Sequence, residues 1–191
     1  MTTTRLEAFT DGVIAILITI LVLELRVPVG AGVDALRPLF PVFLVYVLSF
    51  VNLGLYWNNH HHMLAVTDRV NGRIMWANLF LLFWLSLFPF ATGWMGENHF
   101  AALPTAFYGV VLVMAAVSYT LLQRSIIADQ GPHSKLAAAI RGDFKGKLSL
   151  AFYVIAIPVA FWNQWISDAL YVSVAIMWFV PDRRIERGLK G

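Results

Sequence analysis

The sequence has no cysteine and few charged residues, and both absences narrow the possible functions. Without cysteine the chain can form no disulfide, no thiolate nucleophile and no cysteine-ligated metal site. Charged residues make up 13% of the 191 residues, roughly half the share usual in soluble domains. Hydrophobic residues make up 59%, more than a soluble domain of this size could cover. The composition therefore predicts an integral membrane protein, whose apolar side chains are solvated by lipid.

Motifs of enzymes and of filter-type channels are also missing. The sequence has no G-x-S-x-G, no H-E-x-x-H and no Walker A motif, so we predict neither an enzyme nor a cofactor. It also lacks the T-V-G-Y-G selectivity-filter motif. The adjacent histidines at 60–62 predict no metal site, because consecutive helical side chains point about 100° apart. The basic residues lie in short loops, where membrane topology explains them, and we expect no nucleic-acid partner.

Six segments are candidates to cross a bilayer, which takes about 20 apolar residues per helix. Four of them are uncharged runs near that length, at residues 39–57, 74–96, 100–123 and 148–167. The last run is expected to end in a turn, where Ser167 or Asp168 caps a final helix that ends near Val180. A short surface helix is expected at residues 134–140. The predicted fold is an all-α integral membrane protein of six transmembrane helices, in one domain over residues 1–191.

The first predicted helix differs from the others because its uncharged run, residues 12–23, is only 12 residues long. Extended to residues 5–26 the helix is long enough to span, but it then carries charges at membrane depth. Such charges normally face a bundle interior or a water-filled cavity. We therefore expect helix 1 to be shielded from lipid by the other helices.

The basic residues predict the orientation of the chain. Six spans put both termini on one side of the membrane. With the N-terminus inside, all but Arg26 and Arg37 of the 14 Lys and Arg residues lie on the cytoplasmic side. The positive-inside rule therefore predicts that both termini are cytoplasmic.

One face of helix 1 carries Ile16, Ile20 and Leu23, with Thr19 beside them, at spacings of three and four residues. Periodicity alone favours a packing stripe in a helix bundle, since the helix is apolar all round. The second interpretation is a hydrophobic pore constriction, of the kind that gates by dewetting.

Charged and polar residues gather at the predicted cytoplasmic ends of helices 1 and 2. Arg5 and Asp11 are too far apart to pair along one helix, so each is expected to find partners on other helices. The alternative is that both are anchors that snorkel to lipid headgroups. One histidine of the run 60–62 is expected to bond to Asp11 or Thr10. Asn78, a polar residue at membrane depth, is expected to bond between helices.

Together these segments resemble the transmembrane protein 175 family, the bacterial branch of the lysosomal potassium channel family. The first matching block is Arg5-x-x-x-Phe9-Thr10-Asp11, followed by the apolar helix that ends L-V-L-E-L-x-V-P at residues 21–28. The second block is W-N-N-H-H-H-M-L from Trp57, followed by N-L-F at 78–80 and L-F-P-F at 87–90. The family usually has Phe-Ser-Asp where this chain has Phe-Thr-Asp.

The resemblance implies a potassium-selective cation channel without a re-entrant filter loop, assembled as a homotetramer in the bacterial cell membrane. Helix 1 of each subunit would line a central pore. Ile16 corresponds to the narrow isoleucine of the family, and Thr19, Ile20 and Leu23 correspond to the following pore-facing positions. The expected partners are other copies of the chain, the lipid bilayer and permeant K⁺ ions.

The resemblance also implies a cytoplasmic-side network that ties helix 1 to its neighbours. Which of the three histidines joins it stays open, and His61 is taken as the candidate. The members of the expected network are Arg5, Phe9, Thr10, Asp11, Trp57, His61 and Asn78.

Glu24 would lie near the outer mouth of such a pore, where four copies would raise the local cation concentration. The alternative for Glu24 is a salt bridge with Arg26 or Arg37. The alternative for the whole protein is a proton-conducting or weakly selective cation channel of the same architecture. A secondary transporter or a non-conducting membrane scaffold is a third possibility.

Overall fold

Every regular element in the described part of the chain is helical, as predicted. The computed structural model describes residues 2–140 and 143–179, so the predicted helix end near Val180 and the basic residues at 141 and 183–190 lie outside the described residues. A 3₁₀ helix, Val33–Leu39, precedes α2. The α-helices in chain order are α1 (Thr3–Leu23), α2 (Phe40–Ala65), α3 (Gly72–Leu85), α4 (Phe88–Glu97), α5 (Ala102–Gln130), α6 (Lys135–Ala139), α7 (Phe144–Val159) and α8 (Gln164–Phe179).

Four helical stretches are long and apolar enough to cross a membrane. They are α1, the 3₁₀ helix with α2, the pair α3 and α4, and α5. α7 and α8 have 16 described residues each, or about 24 Å at ~1.5 Å per residue, which is shorter than a typical hydrocarbon core. The structure is therefore that of a multi-span membrane protein with at least four membrane-length helices, and the count of six spans stays a prediction.

Proline and glycine explain where two of the helices end. The span predicted at 74–96 is two helices, because Pro89 lacks the N–H that would bond to Leu85, and the helical ladder breaks there. α5 continues to Gly131, which has a φ of 93° and whose N–H bonds to the Ile127 carbonyl at 2.8 Å. This left-handed conformation favours glycine and ends the helix.

The start of the last helix differs from the prediction. α8 begins at Gln164, and the Asn163 Oδ1 accepts the Trp165 N–H at 3.0 Å. Ser167 lies inside α8, where its hydroxyl donates to the Ala156 carbonyl of α7 at 2.9 Å. The prediction that Ser167 or Asp168 caps this helix is therefore wrong. The short helix predicted at 134–140 is confirmed as α6.

Three hydroxyl groups fix α4 against α2 and α5. The Thr92 hydroxyl donates to the Phe88 carbonyl at 2.7 Å, which uses its one hydrogen. Ser49 must then donate to Thr92, at 2.6 Å, and Tyr108 must donate to Ser49, at 2.9 Å. All three side chains are buried. These hydrogen bonds connect α4 to both α2 and α5.

α5 lies at the centre of the described bundle, in contact with α3, α4, α7 and α8. α1 packs on the other side of this bundle, against α2, α3 and α4. Only one side of α1 is needed for these contacts, and this places the candidate site.

Candidate functional site

The helix α1 has one buried face and one exposed face. Its buried face is a continuous stripe at steps of three and four residues, formed by Leu6, Thr10, Ile14, Leu17 and Leu21. On the other side Ile16 is 58% exposed, Ile20 37% and Leu23 74%. Thr19 is exposed with them. The four predicted pore positions therefore share a face that no other helix covers within the described residues.

The exposed face is aliphatic apart from one hydroxyl group. The Thr19 hydroxyl donates to the Ile16 carbonyl at 2.7 Å, so its hydrogen is bound within α1. Its oxygen still presents lone pairs toward the open side, and these can accept a hydrogen bond or approach a cation.

A buried chain of hydrogen bonds joins α1, α2 and α3 near the N-terminal end of α1. The Asn78 side-chain amide donates to the Thr10 hydroxyl at 2.8 Å. The Asn78 carbonyl oxygen lies 2.8 Å from Nε2 of His60. Because an amide oxygen only accepts, His60 must carry its proton on Nε2. All three side chains are fully buried, so this chain anchors one end of α1 in a dry environment.

His60, and not the candidate His61, occupies this chain. His61 instead places Nδ1 2.7 Å from Oε1 of Glu7, and its ring stacks on Trp57 with 6.4 Å between centroids. No histidine bonds directly to Asp11 or Thr10 within the described residues; His60 reaches Thr10 only through Asn78. The signal that identifies His60 is its helical phase, because it shares a buried stripe of α2 with Leu53 and Leu64.

The remaining predicted members of the network lie outside this hydrogen-bonded chain. Arg5 is exposed and has no side-chain partner among the described residues, and Phe9 is 49% exposed. Oδ1 of Asp11 is buried and has no hydrogen-bond partner in the part of the chain that the structure describes. Asp11 interacts electrostatically with His60. The expected network is thus divided into a buried hydrogen-bonded chain, the partly exposed Glu7–His61 pair, and three residues that hydrogen-bond to neither within the described residues.

The C-terminal end of α1 carries charged residues and contacts α4. Glu24 is the first residue after α1, and its carboxylate lies against Gly93 of α4. Arg26 pairs with Glu97, with 2.8 Å between Nη2 and Oε1. Arg37 pairs with Asp34 of the same 3₁₀ helix, so the alternative of a Glu24 salt bridge with Arg26 or Arg37 is wrong. Burial, followed by the nearby Glu97 charge, raises the pKa of Glu24 above its ordinary value, against a lowering effect of Arg26.

Among residues 2–140 and 143–179, no group of three or more His, Asp or Glu side chains is placed to hold a metal ion. The chemistry available at α1 is therefore that of an apolar face, one hydroxyl oxygen and a carboxylate at the helix end.

The helical fold and the open face of α1 define a multi-span membrane protein whose first helix is only partly packed. The family pattern described as "Endosomal/lysosomal potassium channel TMEM175" matches residues 5–89. A protein named as a potassium channel in Chryseobacterium sp. (strain P1-3) is 52% identical over 190 residues, which cover 100% of this chain and 99% of that one. The chain belongs to the TMEM175 family.

Two further comparisons bear on fold and function. The crystal structure of a lysosomal potassium-selective channel TMEM175 homolog from Chamaesiphon minutus matches with a TM-score of 0.83 at 27% identity, covering 93% of this chain and 96% of that chain. The Homo sapiens protein named "Endosomal/lysosomal proton channel TMEM175" is 41% identical over 71 residues, which are 31% of this chain and 14% of that protein. The bacterial likeness thus extends over nearly the whole chain, and the human likeness over less than a third of it.

Proposed function

We propose that the chain is a potassium-selective channel that works as a homotetramer, with the open faces of four α1 helices lining a central pore. One observation carries the proposal. Ile16 is 58% exposed, although Ile14 and Leu17 of the same helix are 1% and 6% exposed. Charged residues flank the uncharged run 12–23 of α1 on both sides, and charges at membrane depth normally face a bundle interior or a water-filled cavity, so lipid is a poor cover for this face. Further copies of α1 are the remaining cover.

In this arrangement Ile16 forms the narrowest ring of the pore. Thr19, Ile20 and Leu23 continue the lining over roughly 10 Å toward the C-terminal end of the helix. A ring of aliphatic side chains excludes water when it is narrow, so an ion must shed hydration to pass. Because K⁺ sheds water at a lower cost than Na⁺, such a constriction obstructs K⁺ less. This argument supports potassium selectivity without a filter of backbone carbonyls.

The proposal also includes an orientation. α7 and α8 complete six spans in the bacterial cell membrane, and both termini are cytoplasmic. The asymmetric placement of Lys and Arg residues supports this orientation. The Thr10–Asn78–His60 chain then lies on the cytoplasmic side, and Glu24 lies at the outer mouth.

A second candidate function is proton conduction through the same architecture. It is favoured by the name of the human relative, which is a proton channel. The relative from Chryseobacterium, which is similar over the full chain, is named as a potassium channel, and this favours potassium.

Proteoliposomes distinguish these functions. With K⁺ inside and a large impermeant cation outside, a potassium channel produces an inside-negative voltage that follows the Nernst relation for K⁺. A proton channel responds to a pH gradient and not to the K⁺ gradient. Saturable coupled exchange would indicate a transporter, and absence of flux a scaffold. Native mass measurement in detergent tests the assembly, and a population made up only of monomers contradicts the pore.

A further inference from the structure

The carboxylate of Glu24 is held at the end of α1 by a contact that sequence spacing does not reveal. It lies against Gly93, which is buried in the middle of α4. A Cβ added to Gly93 would overlap the carboxylate, with the Glu24 Cδ only 3.1 Å away. The three nearest atoms to that added Cβ all belong to the Glu24 side chain. The bare backbone of Gly93 is therefore shaped for this carboxylate.

Glu24 is a charged residue at this end of α1 that forms no salt bridge in the described part of the chain. Arg26 is the nearest candidate partner, but it pairs with Glu97. Arg26 still lowers the pKa of Glu24, but by less than burial and Glu97 raise it, and Glu24 makes no ion pair among the described residues. The position of the Glu24 carboxylate in each subunit therefore decides where this negative charge lies at the end of α1.

The helix that holds the carboxylate is itself fixed. The hydroxyl chain from Tyr108 through Ser49 to Thr92 ends one residue before Gly93. On the same helix Gly96 packs against Val42 of α2, where an added Cβ would meet the Val42 Cα at 2.5 Å. α4 is therefore held by hydrogen bonds and close packing on both sides of Gly93.

We propose that Gly93 is a positioning residue of the pore mouth: its missing side chain forms a seat on α4 that holds the Glu24 carboxylate beside the end of the pore helix. The inference rests on the proposed channel function, and it adds a residue on a different helix that controls the charge at the entrance. A side chain at position 93 would push the carboxylate off the seat without disturbing the backbone, because the atoms it meets are the flexible end of Glu24.

The test uses single-channel K⁺ conductance of the full-length protein in planar bilayers, at low and at high KCl. Glu24→Gln is expected to lower the low-salt conductance by about twofold or more, because it removes a negative charge that attracts K⁺ to the entrance. This expected loss is smaller than the full effect that a charged entrance can have on local ion concentration. At about 1 M salt the Debye length is only ~3 Å, so the conductances of wild type and variant should converge.

Gly93→Ala is expected to fold, to assemble and to give most of the loss that Glu24→Gln gives. The matched control is Gly54→Ala, because an added Cβ at Gly54 meets no atom within 4 Å; its conductance should equal that of wild type. In the Glu24→Gln background Gly93→Ala should cause no further loss, because the charge it acts on is already gone. Glu24→Asp, which keeps the charge but shortens its reach, should reproduce the Gly93→Ala loss.

A pH profile separates positioning from general packing. The low-salt conductance should fall as the outer solution is acidified through the pKa of Glu24, which burial and Glu97 raise and Arg26 lowers. In Gly93→Ala the displaced carboxylate is better hydrated, so the midpoint should move to lower pH. A packing defect alone would leave the midpoint where it is.

The outcomes distinguish this inference from the channel proposal. If Glu24→Gln lowers the low-salt conductance while Gly93→Ala and Glu24→Asp leave it unchanged, the seat is wrong and the mouth assignment of Glu24 stands. If Glu24→Gln itself has no effect, both assignments fail. If Gly93→Ala does not assemble, Glu24→Asp tests the seat in its place: a loss of low-salt conductance supports the seat, and an unchanged conductance overturns it. A wild-type protein that conducts no ion overturns the channel proposal before either residue is tested.

Discussion

The buried face of α1 meets three helices of its own chain, whereas its opposite face meets none within the described residues. The buried face includes Thr10, whose hydroxyl receives a hydrogen bond from Asn78 at 2.8 Å. The open face includes Ile16, whose neighbours in sequence, Ile14 and Leu17, are both buried. Residues one or two positions apart on one helix therefore differ in role: one set packs within the subunit, and the other is the set that the proposed pore would use.

This contrast predicts that equivalent changes on the two faces have different consequences. A polar residue on the buried face should lower the stability of the subunit. The same residue on the open face should change ion flux while the subunit still folds. The following experiments either separate the two faces or show that they are alike.

The largest effects are expected when asparagine replaces an isoleucine on α1, and they should differ between the buried face and the open face. Ile14→Asn buries an amide without partners and removes a packed aliphatic side chain, which should cost about 3–5 kcal/mol and yield little folded protein. Ile16→Asn should fold and replace the apolar ring with polar groups, so K⁺ flux per folded tetramer rises and discrimination against Na⁺ falls. The measurement is flux and reversal potential in proteoliposomes, normalised to folded tetramer.

Ile176→Asn is the matched control, because Ile176 of α8 is 61% exposed, close to the 58% of Ile16. Its selectivity should equal that of wild type. Equal behaviour of Ile16→Asn and Ile176→Asn would remove Ile16 from the pore.

The second effect is expected at Asn78, which bonds to both Thr10 and His60. Asn78→Ala leaves two buried polar groups unpaired, at about 1–3 kcal/mol for each. Thermal unfolding in detergent should show a clear loss of stability. The control is Asn58→Ala, since Asn58 is exposed; a similar loss in both variants would contradict the special role of the buried chain.

The third effect is a test of the hydroxyl group at position 10. Thr10→Val keeps the shape but removes the acceptor that Asn78 uses, so it should destabilise by about 1–3 kcal/mol. Thr10→Ser keeps the acceptor and should cost only about 1 kcal/mol for the missing methyl group. The two variants are compared by the same thermal assay, and the prediction fails if serine is as damaging as valine.

The smallest effect is expected for the exposed pair at the end of the buried face. Glu7 and His61 lie 2.7 Å apart, with 24% and 49% of their side chains exposed. Glu7→Gln should lower the free energy of unfolding by about 1 kcal/mol or less, because Gln keeps a side-chain oxygen near His61 and the pair is partly exposed to water. If Glu7→Gln instead costs as much as Asn78→Ala, the distinction between the dry chain and the exposed pair is wrong.

The sequence predicted those features that depend on local composition and helical phase. The all-α membrane fold follows from long uncharged runs, and the α6 helix follows from Ser134, whose side chain caps it. The break between α3 and α4 was missed although Pro89 signalled it. The choice of His60 over His61 required the phase of α2 to be compared with its buried residues.

The bond that Asn78 makes to another helix was predicted and is confirmed, but most contacts between distant segments were beyond the sequence. Nothing local shows that Arg26 takes Glu97 as its partner and leaves Glu24 unpaired. The seat at Gly93 is likewise set by how α4 packs, because a glycine in an apolar run can serve many purposes. What the sequence did not predict is therefore which particular residues of different helices pair with one another.

The break between α3 and α4 gives the two ends of α1 separate supports. α3 holds the N-terminal end through Asn78, and α4 holds the C-terminal end through Gly93 and Glu97. A change in the support of one end of α1 therefore does not require a change in the support of the other end. A substitution on α4 that moves the C-terminal end of α1 leaves the hydrogen bond between α1 and α3 at the other end in place.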